Sequence, residues 1–425
     1  MELDEKKHWD TNAKNNHTNL IQKIVFILIS SLLGVIICEL IIAYPLYYFF
    51  NDHEKKMVPT KSFFYNREIP QDLWKFKEDP IVGYVLNKNL NIKNPQPPGL
   101  KNAPRLKIFF DLQTNKYGFR YRDDLTKDKP VGEIRIFSLG GSTTMGTESS
   151  NEMTYPQQLE SMIGDPNVRI INAGVGGYRS IHLLHYYKAV IRELSPDIIT
   201  IYSGWNDYED SMMPYWKPRD PHVHALLSQI KVYQHPISKF ALGFLTMKTY
   251  YRLRNFDRVE IQTSDSEIRM KSIEGAKDHK WREEYKTNIQ DLISLAKSDG
   301  VTPVLIIFPS PEFENAPLEA KEFSETDLNM AQRWDGFVIF LGHIRSILKE
   351  LAKKNNIPII NVNQRFEKEN PDFIKKFSYF VDRMHLTPEG NTLIAETMVA
   401  PIKNILKIRN QQNSFANGNK VVELE

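Results

Sequence analysis

Five short runs rich in β-branched residues punctuate this chain: EIRIFSL at 133–139, VRIINA at 168–173, DIITIYS at 197–203, VLIIF at 304–308 and IPIINV at 357–362. Between them lie longer stretches with helical spacing. The clearest starts at Phe337 and continues through Phe340, Leu341, Ile344, Ile347, Leu348 and Leu351. A strand apolar on both alternating faces has to be covered on both sides, and a strand–helix–strand rhythm pairs its strands in parallel. The prediction is an α/β domain over 107–410 with a five-stranded parallel sheet between layers of helices. The rhythm breaks once, between Asp207 and about Lys286. A gap of about eighty residues exceeds an ordinary connection, so 208–285 reads as an inserted subdomain or lid.

In open parallel sheets a ligand sits beyond the carboxyl ends of the strands. The segments found there are GGSTTMG after the first strand, NAGVGGYRS after the second, GWNDYED after the third, PSPEF after the fourth, and DRMHLTPEG before the last helix. Gly141 and Gly146 have the glycine spacing of a phosphate-binding P-loop, but Thr147 stands where that loop needs its lysine. The dinucleotide fingerprint fails as well, because Arg179 occupies the position of its last glycine. Thr144 likewise excludes the G-x-S-x-G nucleophile elbow.

A serine at a strand-to-helix turn remains. The hydroxyl of Ser142 would project at the sheet edge, but serine is inert at neutral pH without a base. Asp382-Arg383-Met384-His385 supplies one, since a carboxylate three residues before an imidazole can face the same way on a tight turn. Asp382 could accept from Nδ1–H and leave Nε2 to take the serine proton. Taken alone, the pair also fits a plain loop decoration. Thr387 and Pro388 read as the N-cap and first position of a terminal helix. Negative charge on a reacting oxygen needs donors, which backbone amides near Gly176 and Gly177 and the side chain of Asn206 could provide.

GGST, NAGVGG, GWND and DRMH, in that order, resemble the four signature blocks of the SGNH hydrolases, also called GDSL esterases or lipases. The resemblance spans about Ile134 to Leu406. It implies a flavodoxin-like three-layer α/β/α sandwich and acyl-ester chemistry at serine. It further implies Ser142 as nucleophile, His385 as base and then acid, and Asp382 as its orienting carboxylate. The oxyanion hole would comprise the amides of Ser142 and Gly177 with the side chain of Asn206. Gly141 replaces the aspartate of the GDSL name, which marks a divergent branch. No cofactor and no metal is called for. The expected activity is hydrolysis of small acyl esters, acetyl above all, on cell-surface carbohydrate. One alternative is an O-acyltransferase with the same triad, and another is a non-catalytic subunit of a membrane assembly that keeps the fold.

Within the insertion, Tyr215 and Trp216 offer either a sugar-stacking platform or ordinary lid packing. His222 and His224 read as surface histidines, and Asp207 and Asp210 as structural. Charge excludes little: 55 basic against 52 acidic residues leave +3, which gives no general footprint for nucleic acid. The single cysteine, Cys38, excludes an intrachain disulfide.

Ahead of the domain, residues 1–23 form a polar tail. The apolar run from Ile24 to Phe50 exceeds the roughly 20 residues that cross a bilayer, so 24–50 reads as a transmembrane anchor. A carboxylate at mid-bilayer costs about 2.5 to 3.5 kcal/mol on insertion scales. Hence Glu39 either ends the span, leaving the aromatics of 44–50 in the interface, or faces a partner helix. Ile37 before Cys38 argues against lipoprotein cleavage. Lysines flank the run on both sides, so a catalytic domain outside the cytoplasm is expected from the single N-terminal anchor alone. Residues 51–106 read as a membrane-proximal linker with some local structure, and 411–425 as a polar tail.

Overall fold

The computed structural model describes residues 22–34, 36–37, 75–94, 110–212, 216–239, 241–253, 265–317, 319–320, 334–369 and 372–418. The chain divides into two compact units, residues 71–228 with 255–425, and residues 1–70 with 229–254.

The larger unit opens with two antiparallel pairs, β1 (Phe76–Asp79) with β2 (Gly83–Leu86) and β3 (Asn91–Asn94) with β4 (Phe110–Gln113). The central sheet follows: β5 (Ile134–Gly140), β6 (Val168–Gly174), β7 (Ile198–Tyr202), β8 (Thr302–Ile307) and β9 (Ile359–Asn361), all parallel, in the order β6-β5-β7-β8-β9. That is the 2-1-3-4-5 order of flavodoxin-like folds. All five residues of β7 are buried, so both faces of the sheet are covered.

The helices are α1 (Ser142–Met145), α2 (Tyr155–Ile163), α3 (Ser180–Tyr186), α4 (Trp205–Ser211), α5 (Ala225–Gln234), α6 (Ala241–Leu253), α7 (Asp265–Lys277), α8 (His279–Ser298), α9 (Trp334–Asn355), α10 (Asn363–Glu367), α11 (Phe373–Phe377) and α12 (Pro388–Gly418). α2 packs on β6 and on α12. α8 packs on α3, α9 and β8, and α9 also packs on β8 and β9. The predicted helix at Phe337 is α9, whose Phe337, Phe340, Leu341, Ile344, Leu348 and Leu351 are buried. The result is the expected three-layer α/β arrangement.

Three boundaries move. The stretch 208–285 does not enter the insertion at its ends: Tyr208 in α4 and Trp281 and Tyr285 in α8 are fully buried core residues. Between α4 and α8 the described chain forms α5, α6 and α7. Within 51–106 the described residues 75–94 carry local structure, the strands β1, β2 and β3. β2 is buried throughout, and Tyr84 donates from Oη to the Gly176 carbonyl at 3.0 Å while its own carbonyl accepts from Tyr178 Oη at 2.6 Å. Aromatic burial and these hydrogen bonds tie it to the loop after β6. At the other end α12 continues to Gly418, well into the stretch read as tail, because no helix breaker interrupts 402–417.

The smaller unit has a cluster of buried Val232 and Phe244 packed by Tyr233, Leu245, Met247 and Tyr251. Residues 22–34 and 36–37 are helical, with Ile24, Phe26, Leu28, Ile29 and Leu32 exposed. Among the described residues no helix is long and apolar enough to cross a membrane. The remainder of the predicted 24–50 span, Cys38 and Glu39 included, lies outside the described residues, as do most of 1–23 and residues 419–425.

Candidate active site

Ser142 is the first residue of α1, directly after β5 and two glycines. The turn demands a bare backbone: a Cβ on Gly140 would lie 2.6 Å from the carbonyl oxygen of Tyr202. This close approach of β5 and β7 lets α1 begin at the sheet edge with Ser142 half-buried rather than covered. Arg120, fully buried, then fixes the turn after α1. Its Nη1 donates to the carbonyls of Met145 and Gly146 at 2.5 Å, its Nη2 to those of Asp111 and Ser149 at 2.5 and 2.7 Å, and its Nε to Asn151 Oδ1 at 3.0 Å. Several carbonyls of the turn thus meet one rigid fork.

The base arrives from the connection between α11 and α12. Asp382 builds its own turn, accepting at Oδ1 from the amides of Met384 and His385 at 2.8 and 2.7 Å, while the Val381 amide donates to the His385 carbonyl at 2.8 Å. The D-x-x-H spacing is therefore a local folding unit, with both side chains on one side. His385 Nδ1 lies 2.7 Å from Asp382 Oδ2, and His385 Nε2 lies 2.7 Å from Ser142 Oγ.

Electrostatics favour an ion pair at rest. Burial disfavours the imidazolium of His385, but the Asp382 carboxylate, with Glu148 behind it, outweighs that and raises the pKa to about 9. Burial also opposes ionisation of Asp382, yet His385 and the two backbone amides hold its pKa below the usual 3.8. Glu148 sits in the Arg120-clamped turn, and its carboxyl group is pushed up chiefly by burial, against the pull of His385.

Asn206 occupies the second position of α4, just past β7, and its Nδ2 donates to the Tyr178 carbonyl at 3.0 Å. One N–H of the amide can hold this bond while the other addresses a ligand. A small cleft is lined by Ser142, Asn206, Tyr178, Tyr202, Trp205 and Met384, among others. Gly177, next to Tyr178, does not itself line it. Its φ of +81° belongs to the left-handed region, and a Cβ there would stand 2.7 Å from Tyr84 Oη and 2.8 Å from His224 Cε1. Of the five residues expected at the site, Ser142, Asn206, Asp382 and His385 meet at the sheet edge, and Gly177 stands in the adjoining loop.

The loop after β6 rests on a buried polar layer. Arg179 has no exposed surface and donates from Nη2 to the carbonyl of Asp220 at 2.6 Å, with Asp210 at 3.7 Å and Glu284 at 3.9 Å. Asp207 accepts from the amide and hydroxyl of Ser180, and burial raises its pKa to about 7. Asp207 and Asp210 thus have the structural place expected of them. His224 does not: it is buried, its Nε2 lies 3.2 Å from Asp210 Oδ2, and only His222 is exposed. The charge of Asp210 draws it inward. Trp216 is partly exposed, and Tyr215 lies outside the described residues.

Sequence reasoning also missed Glu148 and the contacts of Arg383. Arg383 pairs with Glu209 of α4, and its guanidinium lies 4.4 Å from the centroid of the Phe337 ring. The one sequence signal for either was a charged residue beside a signature block.

A family model described as GDSL-like lipase/acylhydrolase matches residues 138–393. No curated protein matches the chain. Among solved structures, a GDSL-like lipase from Bacteroides thetaiotaomicron is similar at 16% identity over 65% of this chain and 92% of its own, with a TM-score of 0.36. The acetyl xylan esterase AlAXEase is similar at 14% identity over 63% and 100%, with a TM-score of 0.38. An acetylxylan esterase of Geobacillus stearothermophilus follows at 12% over 64% and 95%, with 0.36.

Proposed function

The chain belongs to the GDSL-like lipase/acylhydrolase family, the SGNH hydrolases, and is an ester-hydrolysing enzyme; on that premise we propose that it cleaves small acyl esters with Ser142, His385 and Asp382. The observation that carries this is the unbroken chain of 2.7 Å contacts from Ser142 Oγ to His385 Nε2 and from Nδ1 to Asp382 Oδ2. Ser142 Oγ attacks the ester carbonyl as Nε2 takes its proton. The oxyanion of the tetrahedral intermediate is met by the amides of Ser142 and Gly177 and the Asn206 side chain. His385 then protonates the departing alcohol. Water, deprotonated by the same nitrogen, releases the acyl group from Ser142.

The close walls of the cleft, Tyr178, Tyr202, Trp205 and Met384 around Ser142 and Asn206, support a short acyl group such as acetyl. For the alcohol we propose a carbohydrate hydroxyl at the cell surface, with 24–50 as the membrane anchor and the domain outside the cytoplasm. The length and apolarity of that run support the anchor. Activity-based labelling tests the core of the reading. A fluorophosphonate probe should label the folded protein and fail on Ser142→Ala. Turnover of p-nitrophenyl acetate without added sugar should accompany it. Acyl release only in the presence of a glycan acceptor would instead indicate transfer, and folded wild-type protein that takes no label would remove the esterase reading.

A further inference from the structure

Arg383 stands between the two members of the base pair, Asp382 and His385, yet its side chain turns to other elements. It forms an ion pair with Glu209, and both side chains are largely buried, at 17% and 12% exposure. Glu209 lies on α4, three residues after Asn206 and so on the same side of that helix. The Arg383 guanidinium also covers the ring of Phe337, at 4.4 Å from its centroid, near the start of α9. Phe337 is fully buried and in turn touches Trp205 and Tyr208 of α4, with ring centroids 5.7 and 5.6 Å apart. One side chain therefore closes a triangle between the base-bearing loop, the Asn206-bearing helix and the helix that packs behind it.

A pair this far from water is a poor source of stability, because desolvation offsets most of its attraction and an apolar pair of similar shape would serve as well. What it does supply is direction: the fork of the guanidinium accepts only one orientation of Glu209, and the ring holds its plane. A displacement of about 1 Å between reacting groups can cost about a hundredfold in rate.

We infer that Arg383 is a positioning residue, which through Glu209 and Phe337 sets the placement of the His385 imidazole relative to the Asn206 oxyanion donor. This rests on the esterase reading above. Arg383 touches no reacting atom, so its removal should act on the transition state more than on substrate binding. It also has an electrostatic signature. The charged groups that act on His385 are Asp382 and Glu148, which favour the imidazolium, and Arg383, which opposes it.

Steady-state kinetics on p-nitrophenyl acetate across pH, with thermal melts to confirm folding, test this in three variants. Arg383→Met should lower kcat about 30- to 100-fold with KM within about twofold, and should move the acid limb of kcat/KM to higher pH, because a positive neighbour of the imidazolium is gone. Arg383→Lys keeps the charge and should leave the limb in place while recovering part of the rate. Glu209→Gln should lower kcat without moving the limb, and combining it with Arg383→Met should cost little more than Arg383→Met alone, since both break one contact. If Arg383→Met does not fold, the Lys and Gln variants carry the test. An active wild type whose folded variants keep kcat within twofold overturns the inference alone. So does an equal rate loss in the Lys and Met variants with no shift of the limb. Folded wild-type protein that takes no fluorophosphonate label removes the esterase reading and the inference with it.

Discussion

The raised pKa of His385 has a direct kinetic consequence. Only the neutral imidazole can take the Ser142 proton, and its pKa is raised from 6.5 to about 9 by Asp382 and Glu148 against the opposing effect of burial. A shift of that size corresponds to about 3 kcal/mol in favour of the resting ion pair. At pH 7 about one molecule in a hundred then has a free base, and each further unit downward removes about tenfold more. The rate constant kcat/KM reports groups of the free enzyme. It should therefore rise about tenfold per pH unit from pH 6 to about 8.5 and level off above about 9. The assay is p-nitrophenyl acetate hydrolysis at concentrations well below KM, with Ser142→Ala in each buffer as the blank for spontaneous hydrolysis. Replacing Asp382 with Asn gives the internal control. It removes the strongest group favouring the imidazolium and leaves burial opposed by Glu148 alone, so the limb should move to lower pH even as the plateau falls by about 10⁴ through loss of the orienting carboxylate. Stability should follow the same titration. A folded pKa above the unfolded one contributes fully below pH 6.5 and is lost as pH climbs through about 9, so the melting temperature should decline over that window. A limb centred near 6.5 in the wild type, or one that Asp382→Asn leaves in place, would refute the reasoning.

Two substitutions test the oxyanion side. Asn206→Ala should reduce kcat about 10²- to 10³-fold with little change in KM, as measured by initial rates on the same ester, because the donor is aimed at charge that exists only in the transition state. Gly177→Ala puts a Cβ at a φ of +81° and 2.7 Å from Tyr84 Oη, so a chemical-denaturation curve should show a loss of about 1–3 kcal/mol, with a fall in kcat as the loop shifts.

The sheet was legible because its signals are local, whereas the grouping of Ser142 with Asp382 and His385 rested on the resemblance of four ordered blocks, since Ser142 and His385 lie 243 residues apart. β-branched runs of five to seven residues stand out against helical spacing, and Asp382 caps the turn that presents His385 with its own Oδ1. The insertion was harder to bound, since Tyr208, Trp281 and Tyr285 read as ordinary aromatics until their burial shows that α4 and α8 belong to the core. The four-residue strands β1 and β2 carry too little periodicity to stand out from a Lys- and Asn-rich stretch. Pairings such as Arg383 with Glu209, Arg120 with the carbonyls of 145–149, and His224 with Asp210 link positions remote in sequence, and nothing in either partner's neighbourhood announces the other.

Tyr84 and Arg120 both precede residue 138, where the family match begins. Yet Tyr84 sits against the Gly176–Gly177 turn, and Arg120 holds the turn that follows the nucleophile. The contacts that brace the loop after β6 and the turn after α1 therefore begin ahead of the interval that identifies the family. The interval 138–393 contains Ser142, Asn206, Asp382 and His385 and lacks two of the side chains that brace the adjoining loops. A variant chain that starts after Arg120 should keep the family signature and lose both braces, so its loss of rate relative to the full chain measures what Tyr84 and Arg120 contribute.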